Sequence, residues 1–427
     1  MREMKDSGVE WIGEIPDDWE IIANKHLMKK VKNIRTQYTG EDVLSLTMRG
    51  VIVRDLDNPS GKMPATFDGY QFVEAGNLLM CLFDIDVTPR CIGLIKNDGV
   101  CSPAYSQFKL GTIADASYYY YYYLNLDNTK ELLHLAKNLR HSLTEEQLGA
   151  VPTVLPPMKE QQKIAFFLDE KLAQVETLIA NVQKQIEKLK AYKQSLITEV
   201  VTKGIDPTVP MKDSCIDWIG EMPKHWEKLR VKYIGNTQNG ISKGGEYFGN
   251  GYPFVSYGDV YKNMELPSEV AGLVESTEIE RENYSVKKGD IFFTRTSETI
   301  EEVGFSSVCT ETIENATFAG FLIRLRPFND ALTTQYAKYY FRGEHIRRYL
   351  VKEMNLVTRA SLGQGLLRAM TVLIPPHNEQ IAIADFLDKK CAQIDRLIAI
   401  KQSKIEKLEQ YKRSLIYEYV TGKKEVS

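Results

Sequence analysis

Two Pro-Pro tetrapeptides come nearest to a catalytic motif in this sequence: Leu155-Pro156-Pro157-Met158 and Ile374-Pro375-Pro376-His377. A Pro-Pro loop that methylates adenine N6 needs an Asn or Asp before the prolines to bond the exocyclic amine. It also needs an aromatic residue after them to stack on the extruded base. Both copies lack both residues. Because proline is tolerated at or before the first turn of a helix, we predict that both tetrapeptides lead into helices and do not catalyse.

The other residues with catalytic or metal-binding potential are not spaced for either task. The six histidines contain no His-Glu-x-x-His pair, the six cysteines contain no Cys-x-x-Cys pair, and no Gly-x-x-x-x-Gly-Lys phosphate loop occurs. The acidic pair Asp17-Asp18 becomes Lys224-His225 in a second copy of its segment, which disfavours a nuclease centre. The sequence therefore predicts no catalytic residue, no metal and no cofactor, and the cysteines are expected to be reduced buried thiols.

Composition restricts the class of protein further. The chain has 427 residues, 43% of them hydrophobic and 26% charged, as expected for several globular domains. It has no run of about 18 uncharged apolar residues and no apolar region of a signal peptide, which predicts a cytoplasmic protein without membrane contact. The net charge is −3. Any nucleic-acid binding must therefore use local basic clusters or a partner that shares the electrostatic work.

A long internal repeat organises the sequence. Residues 7–20 return as 214–227, and residues 155–202 return as 374–421 with 28 of 48 positions identical. The stretch between these blocks is 12 residues longer in the second half and keeps only scattered matches. Gene duplication alone would also produce a repeat. However, uniform drift would not preserve one block and erase the next, so we interpret the chain as a repeated frame around two inserts that were selected to differ.

The longer repeated block is predicted to be helical. Residues 161–202 contain no Gly or Pro, and their apolar residues recur in alternate steps of three and four, which is a heptad seam. Forty-two helical residues would span roughly 60 Å. Lys401 interrupts the seam of the second copy, which disfavours one solitary long coil. We expect the two helices to pair antiparallel within the chain; a homodimeric coiled coil is the alternative.

Each insert is predicted to be an α+β domain. Short apolar runs bounded by turn residues indicate strands at 43–47, 77–83, 290–294 and 321–325, and helical stretches follow around 129–139 and 333–351. The six tyrosines 118–123 fit either a base-stacking surface or a partly buried segment that leads into a helix, and we favour the second. The predicted boundaries are 1–154 and 204–373 for two strand-rich domains and 155–203 and 374–427 for two long helices.

The repeated frame resembles the DNA specificity subunits of type I restriction–modification systems. The likeness covers nearly the whole chain. It is carried by the lead-ins Pro156-Pro157-Met158-Lys159-Glu160-Gln161 and Pro375-Pro376-His377-Asn378-Glu379-Gln380, by Phe167-Leu168-Asp169 and Phe386-Leu387-Asp388, and by the Trp-Ile-Gly-Glu-x-Pro-x-x-Trp motif that starts at Trp11 and Trp218.

This resemblance implies a non-catalytic DNA-recognition subunit. Each insert would be a target recognition domain that reads one half of a split, asymmetric site in double-stranded DNA, and the two domains would be related by a pseudo-twofold repeat. The helices would set the distance between the domains and dock two methyltransferase subunits, after which motor–nuclease subunits join. We expect the docking residues to be those of the motifs: Glu160, Gln161, Phe167, Glu379, Gln380 and Phe386.

Candidate DNA contacts follow from side-chain chemistry and position. Arg140 with Ser142 and Arg359 with Ser361 stand at equal distances from the two Pro-Pro pairs. Since both inserts keep this pair, we predict phosphate contacts for it, with a structural Arg–carboxylate pair as the alternative. Base-reading candidates lie where the inserts differ, with solvated loops as the alternative: Thr294, Arg295, Thr296 and Ser297 (against Cys81–Asp84 in the first insert), Thr47 and Arg49, and Ser242 and Lys243.

Two other classes of function compete with this reading. A single-chain methyltransferase or nuclease with a cryptic site is disfavoured by the missing cofactor loops. A coiled-coil adaptor without a DNA role is disfavoured by two diverged strand-rich inserts on one preserved frame. A neighbouring gene that encodes a methyltransferase with an intact Pro-Pro loop would separate these hypotheses.

Overall fold

A computed structural model describes residues 2–59, 61, 63–136, 138, 140–297, 303–353 and 360–426. The chain forms two compact units. Unit 1 comprises residues 1–183 and 403–427, and unit 2 comprises residues 184–402. The four boundaries predicted above remain a prediction, because this division cuts through both long helices. No helix in the described part of the chain is long and apolar enough to span a bilayer.

Unit 1 combines short strands with helices α1 (Ala116–Thr129) and α2 (Glu145–Ala150) and the first part of α3 (Met158–Lys203). Its strands are β1 (Met4–Asp6), β2 (Glu14–Pro16), β3 (Glu20–Ala23), β4 (Met28–Val31), β5 (Leu44–Thr47), β6 (Gly50–Val53), β7 (Gln71–Val73), β8 (Leu78–Met80), β9 (Ile92–Leu94), β10 (Gly99–Cys101), β11 (Ser106–Leu110) and β12 (Pro152–Leu155).

Unit 2 begins within α3 and repeats this plan. Its strands are β13 (Met211–Asp213), β14 (Glu221–Pro223), β15 (Glu227–Arg230), β16 (Gly235–Asn239), β17 (Phe248–Val255), β18 (Leu273–Val274), β19 (Ile291–Thr294), β20 (Thr296–Ser297), β21 (Ser306–Val308), β22 (Thr317–Phe318), β23 (Leu322–Pro327), β24 (Ala360–Ser361) and β25 (Thr371–Ile374). Its helices are α4 (Val231–Ile234), α5 (Tyr257–Lys262), α6 (Glu278–Asn283), α7 (Thr334–Tyr340), α8 (Glu344–Glu353), α9 (Gln364–Ala369) and α10 (His377–Val420), whose last part belongs to unit 1.

Each insert contains a four-stranded sheet, and the two sheets have equivalent strand orders. The strand order is β4-β11-β8-β9 in unit 1 and β16-β23-β19-β21 in unit 2, antiparallel throughout. In each unit, the first frame segment also pairs with the segment before the Pro-Pro pair, as β3 with β12 and β15 with β25. The α+β prediction is confirmed, and β5, β8, β19 and β23 fall on the predicted strand segments.

The six tyrosines are six of the 14 residues of α1 and pack in the core of unit 1. Asp115 caps this helix by accepting a bond from the Tyr118 amide at 2.9 Å. All except Tyr120 are buried. The α-helix therefore lies largely before the predicted stretch 129–139, because capping by Asp115 starts it earlier and Lys130 ends it in a left-handed conformation. Within the predicted stretch, Glu131–Leu135 form a 3-10 helix. The tyrosines are core residues and not a base-stacking surface.

The long helices α3 and α10 pair antiparallel in each unit. In unit 1, Phe167 near the start of α3 packs against Tyr419 near the end of α10, with ring centroids 4.5 Å apart. In unit 2, Lys193 near the end of α3 bonds Asp395 in the first half of α10 at 2.6 Å. The seam of α3 is thus occupied by a helix of the same chain, which makes the homodimeric alternative unnecessary.

Lysines at seam positions bond polar side chains across the pair. Lys193 bonds Asp395 in unit 2, and its repeat equivalent Lys412 bonds Glu176 at 3.2 Å in unit 1. Lys401, the predicted interruption, donates to the Gln185 carboxamide at 2.6 Å. Polar residues at seam positions specify register at a cost in stability, so these lysines favour one antiparallel register.

The cysteines provide a test of this fold. All six thiols are free, and burial raises the pKa of Cys91, Cys101 and Cys309 to about 12. Cys215, however, is exposed, so the expectation of six buried thiols is wrong for this residue. The thiolate is the nucleophile. We therefore expect iodoacetamide at pH 8 to label Cys215 alone in the native chain, as read by peptide mass spectrometry. Labelling of Cys101 or Cys309 at a similar rate would contradict the described cores; a urea-unfolded sample is the control.

Candidate functional site

The two motifs of the repeated frame bind each other. In unit 1 the Trp19 indole donates to the Glu160 carboxylate at 2.9 Å, and Arg2 bonds the same carboxylate. In unit 2 the Trp226 indole donates to Glu379, also at 2.9 Å. Both indoles are buried. These carboxylates therefore fasten the start of each long helix to the strand segment that precedes it by more than 140 residues.

The two motif glutamines bind backbone in the core. The Gln161 carboxamide accepts from the Asp115 amide at 2.7 Å and donates to the carbonyl groups of Ile113 and Pro156. Gln380 makes the equivalent three bonds in unit 2. Both side chains are buried. The predicted docking role is therefore wrong for Gln161 and Gln380, because their polar groups are already satisfied inside the chain.

The Phe-Leu-Asp segments also join the frame to the inserts. Asp169 accepts a bond from the Tyr121 hydroxyl at 2.5 Å, and Asp388 accepts one from the Tyr339 hydroxyl at 2.6 Å. Phe167 and Phe386 are half-buried against the cores of their units. Of the six predicted docking residues, none presents a freely exposed side chain, and the predicted role of Glu160, Phe167, Glu379 and Phe386 remains a prediction.

Unit 2 brings two of the predicted DNA-contact segments together. Strand β20 pairs antiparallel with β24, so that Thr296 lies opposite Ser361. The ribbon continues where the Leu362 amide donates to the Arg295 carbonyl at 2.7 Å. Arg359 and the side chain of Ser297 lie outside the described residues. The segment in which the inserts differ thus lies beside the segment that they share.

Unit 1 has the same arrangement with different residues. The Leu143 amide donates to the Leu82 carbonyl at 2.8 Å, and the Asp84 amide donates to the Arg140 carbonyl at 2.9 Å. The first of these bonds is the repeat equivalent of the bond from Leu362 to Arg295. In unit 1 the Arg140–Ser142 segment therefore runs beside the chain that leaves the central sheet, and in unit 2 Ser361 and Leu362 do so.

The Arg140 side chain is free for an external anion. It is exposed, and no carboxylate bonds it in the described part of unit 1. Asn138 holds the turn, because its side chain accepts from the Arg140 amide at 3.2 Å and from the Ser142 amide at 2.9 Å. The Ser142 hydroxyl donates to the Arg140 carbonyl. The arrangement favours an arginine presented to solvent over a structural ion pair.

The segment Thr294–Ser297 divides into a buried and an accessible part. The Thr294 side chain is fully buried, and its hydroxyl accepts a bond from the Phe305 amide at 2.9 Å. The prediction of a DNA contact is therefore wrong for Thr294. Arg295 and Thr296 are half-buried, and no carboxylate bonds the Arg295 guanidinium among the residues that the structure describes.

Ser242 lies beside this segment through an intervening turn. The Gly320 amide donates to the Ile241 carbonyl at 2.7 Å, and the Arg295 amide donates to the Phe321 carbonyl at 2.9 Å. Ser242 is exposed. Lys243, in contrast, bonds Glu280 at 2.8 Å, and this bond lowers the pKa of the glutamate. An external contact by Lys243 would have to compete with this pair.

A hairpin tip carries the remaining candidates. Strands β5 and β6 are joined through Met48 and Arg49, whose side chains are exposed. Gly50 has φ 95°, a conformation that favours glycine. The Thr47 hydroxyl donates to the Gly50 carbonyl, and the Arg90 guanidinium donates to the Met48 carbonyl at 2.6 Å. Thr47 therefore stabilises the turn, and Arg49 is the residue that the tip presents.

Two features of these surfaces were missed at the sequence level. Lys29 and Lys109 are directly opposite in the β4–β11 pair, both exposed, and neither has an acidic partner in the part of unit 1 that is described. Like charges opposite each other destabilise a sheet, which favours a bound anion there. Phe321 is exposed on the turn beside Arg295. No local pattern in the sequence indicated that Lys29 and Lys109 would be opposite each other, or that Phe321 would be the exposed residue of its apolar run.

Comparisons with known proteins show what this chain is similar to. The model of the type I restriction modification DNA specificity domain matches residues 223–410. A putative type I restriction enzyme MjaX specificity subunit of Methanocaldococcus jannaschii is 25% identical, with 96% of this chain and 95% of that protein covered. The EcoKI specificity subunit of Escherichia coli K12 is 27% identical over 57% of this chain and 51% of its own length.

Solved structures share the fold. A structure on complex assembly and conformational transition of the type I R-M system contains a chain with a TM-score of 0.70 and 15% identity, which covers 95% of this chain and 98% of that one. The HsdS subunit from Thermoanaerobacter tengcongensis has a TM-score of 0.50 and 15% identity, with 96% and 98% of the two chains covered.

Proposed function

We propose that this chain is a DNA specificity subunit of a type I restriction–modification system and that its two inserts each read one half of a split site in double-stranded DNA. It acts with two methyltransferase subunits, which supply the chemistry, and with motor–nuclease subunits that join them. The observation that carries the proposal is the placement of a divergent segment beside a shared segment in both units, Arg140–Ser142 in unit 1 and Ser361 with Leu362 in unit 2.

The shared and divergent residues take different tasks on DNA. Phosphate contacts carry no sequence information and fix register, so they suit what both units share: Arg140 and Ser142, and Arg359 and Ser361. Base edges are read by residues that differ between the units. Arg295, Thr296, Ser297 and Ser242 are proposed for unit 2, and Arg49 for unit 1. Lys29 and Lys109 add a further phosphate contact in unit 1.

The methyltransferase subunits dock on exposed apolar side chains of the helix pair. In unit 1, Leu178 and Tyr411 are 48% and 50% exposed. The ion pair between Glu176 and Lys412 brings them to the same level of the pair. Leu178 and Tyr411 each lie one position before a seam residue. In an antiparallel helix pair, these positions of the two helices lie on the same side of the pair. Together they form a small apolar surface, here called docking surface 1.

Unit 2 repeats this surface with equivalent residues. Tyr192 and Leu397 are 57% and 48% exposed, and the ion pair between Lys193 and Asp395 brings them to the same level. This is docking surface 2. Leu178 and Leu397 are equivalent in the repeat, as are Tyr192 and Tyr411. Since the two surfaces carry the same residue types, they fit two copies of one partner.

The proposal is tested by methylation with and without the partner. We expect the isolated chain to transfer no methyl group, because it lacks an amine-binding Pro-Pro loop. Co-expression with the methyltransferase encoded beside its gene should methylate one bipartite motif throughout the host genome, as read by methylome sequencing. A methyltransferase alone serves as the control. Methylation by the isolated chain, or a continuous motif with the complex, would overturn the proposal.

Arg140→Ala tests the phosphate contact. Loss of one phosphate contact should weaken binding to specific and scrambled duplexes alike and reduce the slope of log K against log salt by about one. Fluorescence anisotropy of the complex at several salt concentrations measures both. Arg230→Ala, an exposed arginine of the frame strand β15, is the matched control and should leave the slope unchanged. Relaxed specificity at one base pair with an unchanged slope would contradict the assignment.

A further inference from the structure

An exposed phenyl group protrudes from the candidate site of unit 2. Phe321 is 64% exposed, although the strand that it precedes, β23, is buried over its first four residues. No ring of the described residues stacks against it. Single exposed apolar residues are common on protein surfaces, so exposure alone assigns no task to Phe321. The fixed backbone of its turn and the polar residues around that turn indicate its task.

The turn that carries Phe321 is fixed on three sides. The Leu322 amide closes it by donating to the Ala319 carbonyl at 2.9 Å, and Gly320 and Phe321 are bonded to the neighbouring chain segments at Ile241 and Arg295. A Cβ atom on Gly320 would lie 2.3 Å from the Ser242 hydroxyl oxygen, so glycine permits the close approach. The backbone under the phenyl group is therefore held in one position before any ligand binds.

The neighbours of the turn are the polar residues proposed for base reading. Arg295 bonds the turn through its own amide, Thr296 follows it, and Ser242 contacts the turn on the other side. These groups can bond base edges. A phenyl group held among them gains free energy from contact with an apolar partner. The C5-methyl group of thymine is the apolar group that base edges present in the major groove.

We propose that Phe321 is a specificity-determining residue that selects a thymine in the half-site of unit 2 by contact with its methyl group. The proposal rests on the proposed function, because it requires that unit 2 reads DNA. Arg295 and Thr296 supply the hydrogen bonds of the same half-site, and the fixed turn means that the phenyl group loses little conformational freedom on binding.

Deoxyuridine tests this assignment, because it differs from thymidine only by the absence of the C5-methyl group. The complex with the co-expressed methyltransferase is titrated with duplexes of its methylated motif in which each thymine in turn is replaced by deoxyuridine. For the wild type, one replacement should weaken binding about fourfold, as expected for a buried methyl group. Phe321→Ala should bind the thymine duplex about fourfold more weakly or worse and should not respond to that replacement, whereas Phe321→Leu should keep part of the response.

Phe328→Ala is the matched control. Phe328 follows the same strand at its other end and is 58% exposed, so this variant should respond to deoxyuridine as the wild type does. The proposal is overturned by a wild type that ignores every replacement, by an unchanged response in Phe321→Ala, by a motif without thymine, or by loss of a methyltransferase copy in Phe321→Ala. Failure of the proposed function is distinct: the wild-type complex would then not prefer its motif to a scrambled duplex.

Discussion

Tyr192→Glu combined with Leu397→Glu should yield a complex with one methyltransferase subunit in place of two. An unpaired carboxylate buried at the centre of an interface costs several kcal/mol, so the loss of affinity at docking surface 2 should be about 100-fold or more. Leu178→Glu with Tyr411→Glu should remove the other copy, and all four substitutions together should remove both. Native mass spectrometry of the co-expressed complexes counts the copies.

Phe166→Glu is the control for this experiment. Phe166 is also on α3 and is 72% exposed, but its repeat equivalent is Asp385, so that position does not recur as an apolar surface. We expect two bound copies with this variant. The four substituted side chains are about half exposed, and the thermal midpoint of each variant should therefore stay near that of the wild type. If the variant with all four substitutions still bound two methyltransferase subunits, both docking surfaces would be contradicted.

The frame could be predicted because its signals are local. Residues 161–202 lack Gly and Pro and carry a heptad seam, and α3 and α10 form as expected. The same holds for β8 and β19, whose apolar runs are bounded by turn residues. Antiparallel pairing within the chain followed from two seams in one sequence, and ion pairs such as Lys412 with Glu176 are consistent with it.

The tasks of the motif residues could not be predicted, because their partners are distant in sequence. Glu160 and Gln161 stand in the first turn of a helix, where polar residues are typically exposed. Here they instead accept hydrogen bonds inside the chain, Glu160 from the Trp19 indole and Gln161 from the Asp115 amide. Burial of Thr294 depends on the backbone of Phe305, which no local pattern indicates. The pairing of β20 with β24 likewise joins segments more than 60 residues apart, so two candidates that are separate in the sequence form one surface in the structure.

Exchange of the first insert should change one half of the recognised sequence and leave the other half intact. The structure gives the cut points: β3 pairs with β12 up to Ala23 opposite Pro152, so residues 25–150 are replaced just inside this pair. Three to five wrong base pairs, at about 1–3 kcal/mol each, should abolish methylation at the old half-site. Methylome sequencing of cells that carry the exchanged chain and the methyltransferase reads both halves at once.

The exchange must preserve the bonds by which the insert holds the frame. The Tyr118 hydroxyl donates to the Val420 carbonyl at 2.9 Å, and Tyr121 donates to Asp169. The Asp115 amide donates to Gln161. An insert with tyrosines at the two equivalent positions should fold on this frame, whereas Tyr118→Phe in the original chain should cost about 1–3 kcal/mol by leaving a buried carbonyl unbonded. Because every one of these bonds stays within unit 1, the reading surface of unit 2 around Arg295 is untouched by the exchange. A motif in which both halves change would therefore show that the two inserts do not read DNA independently.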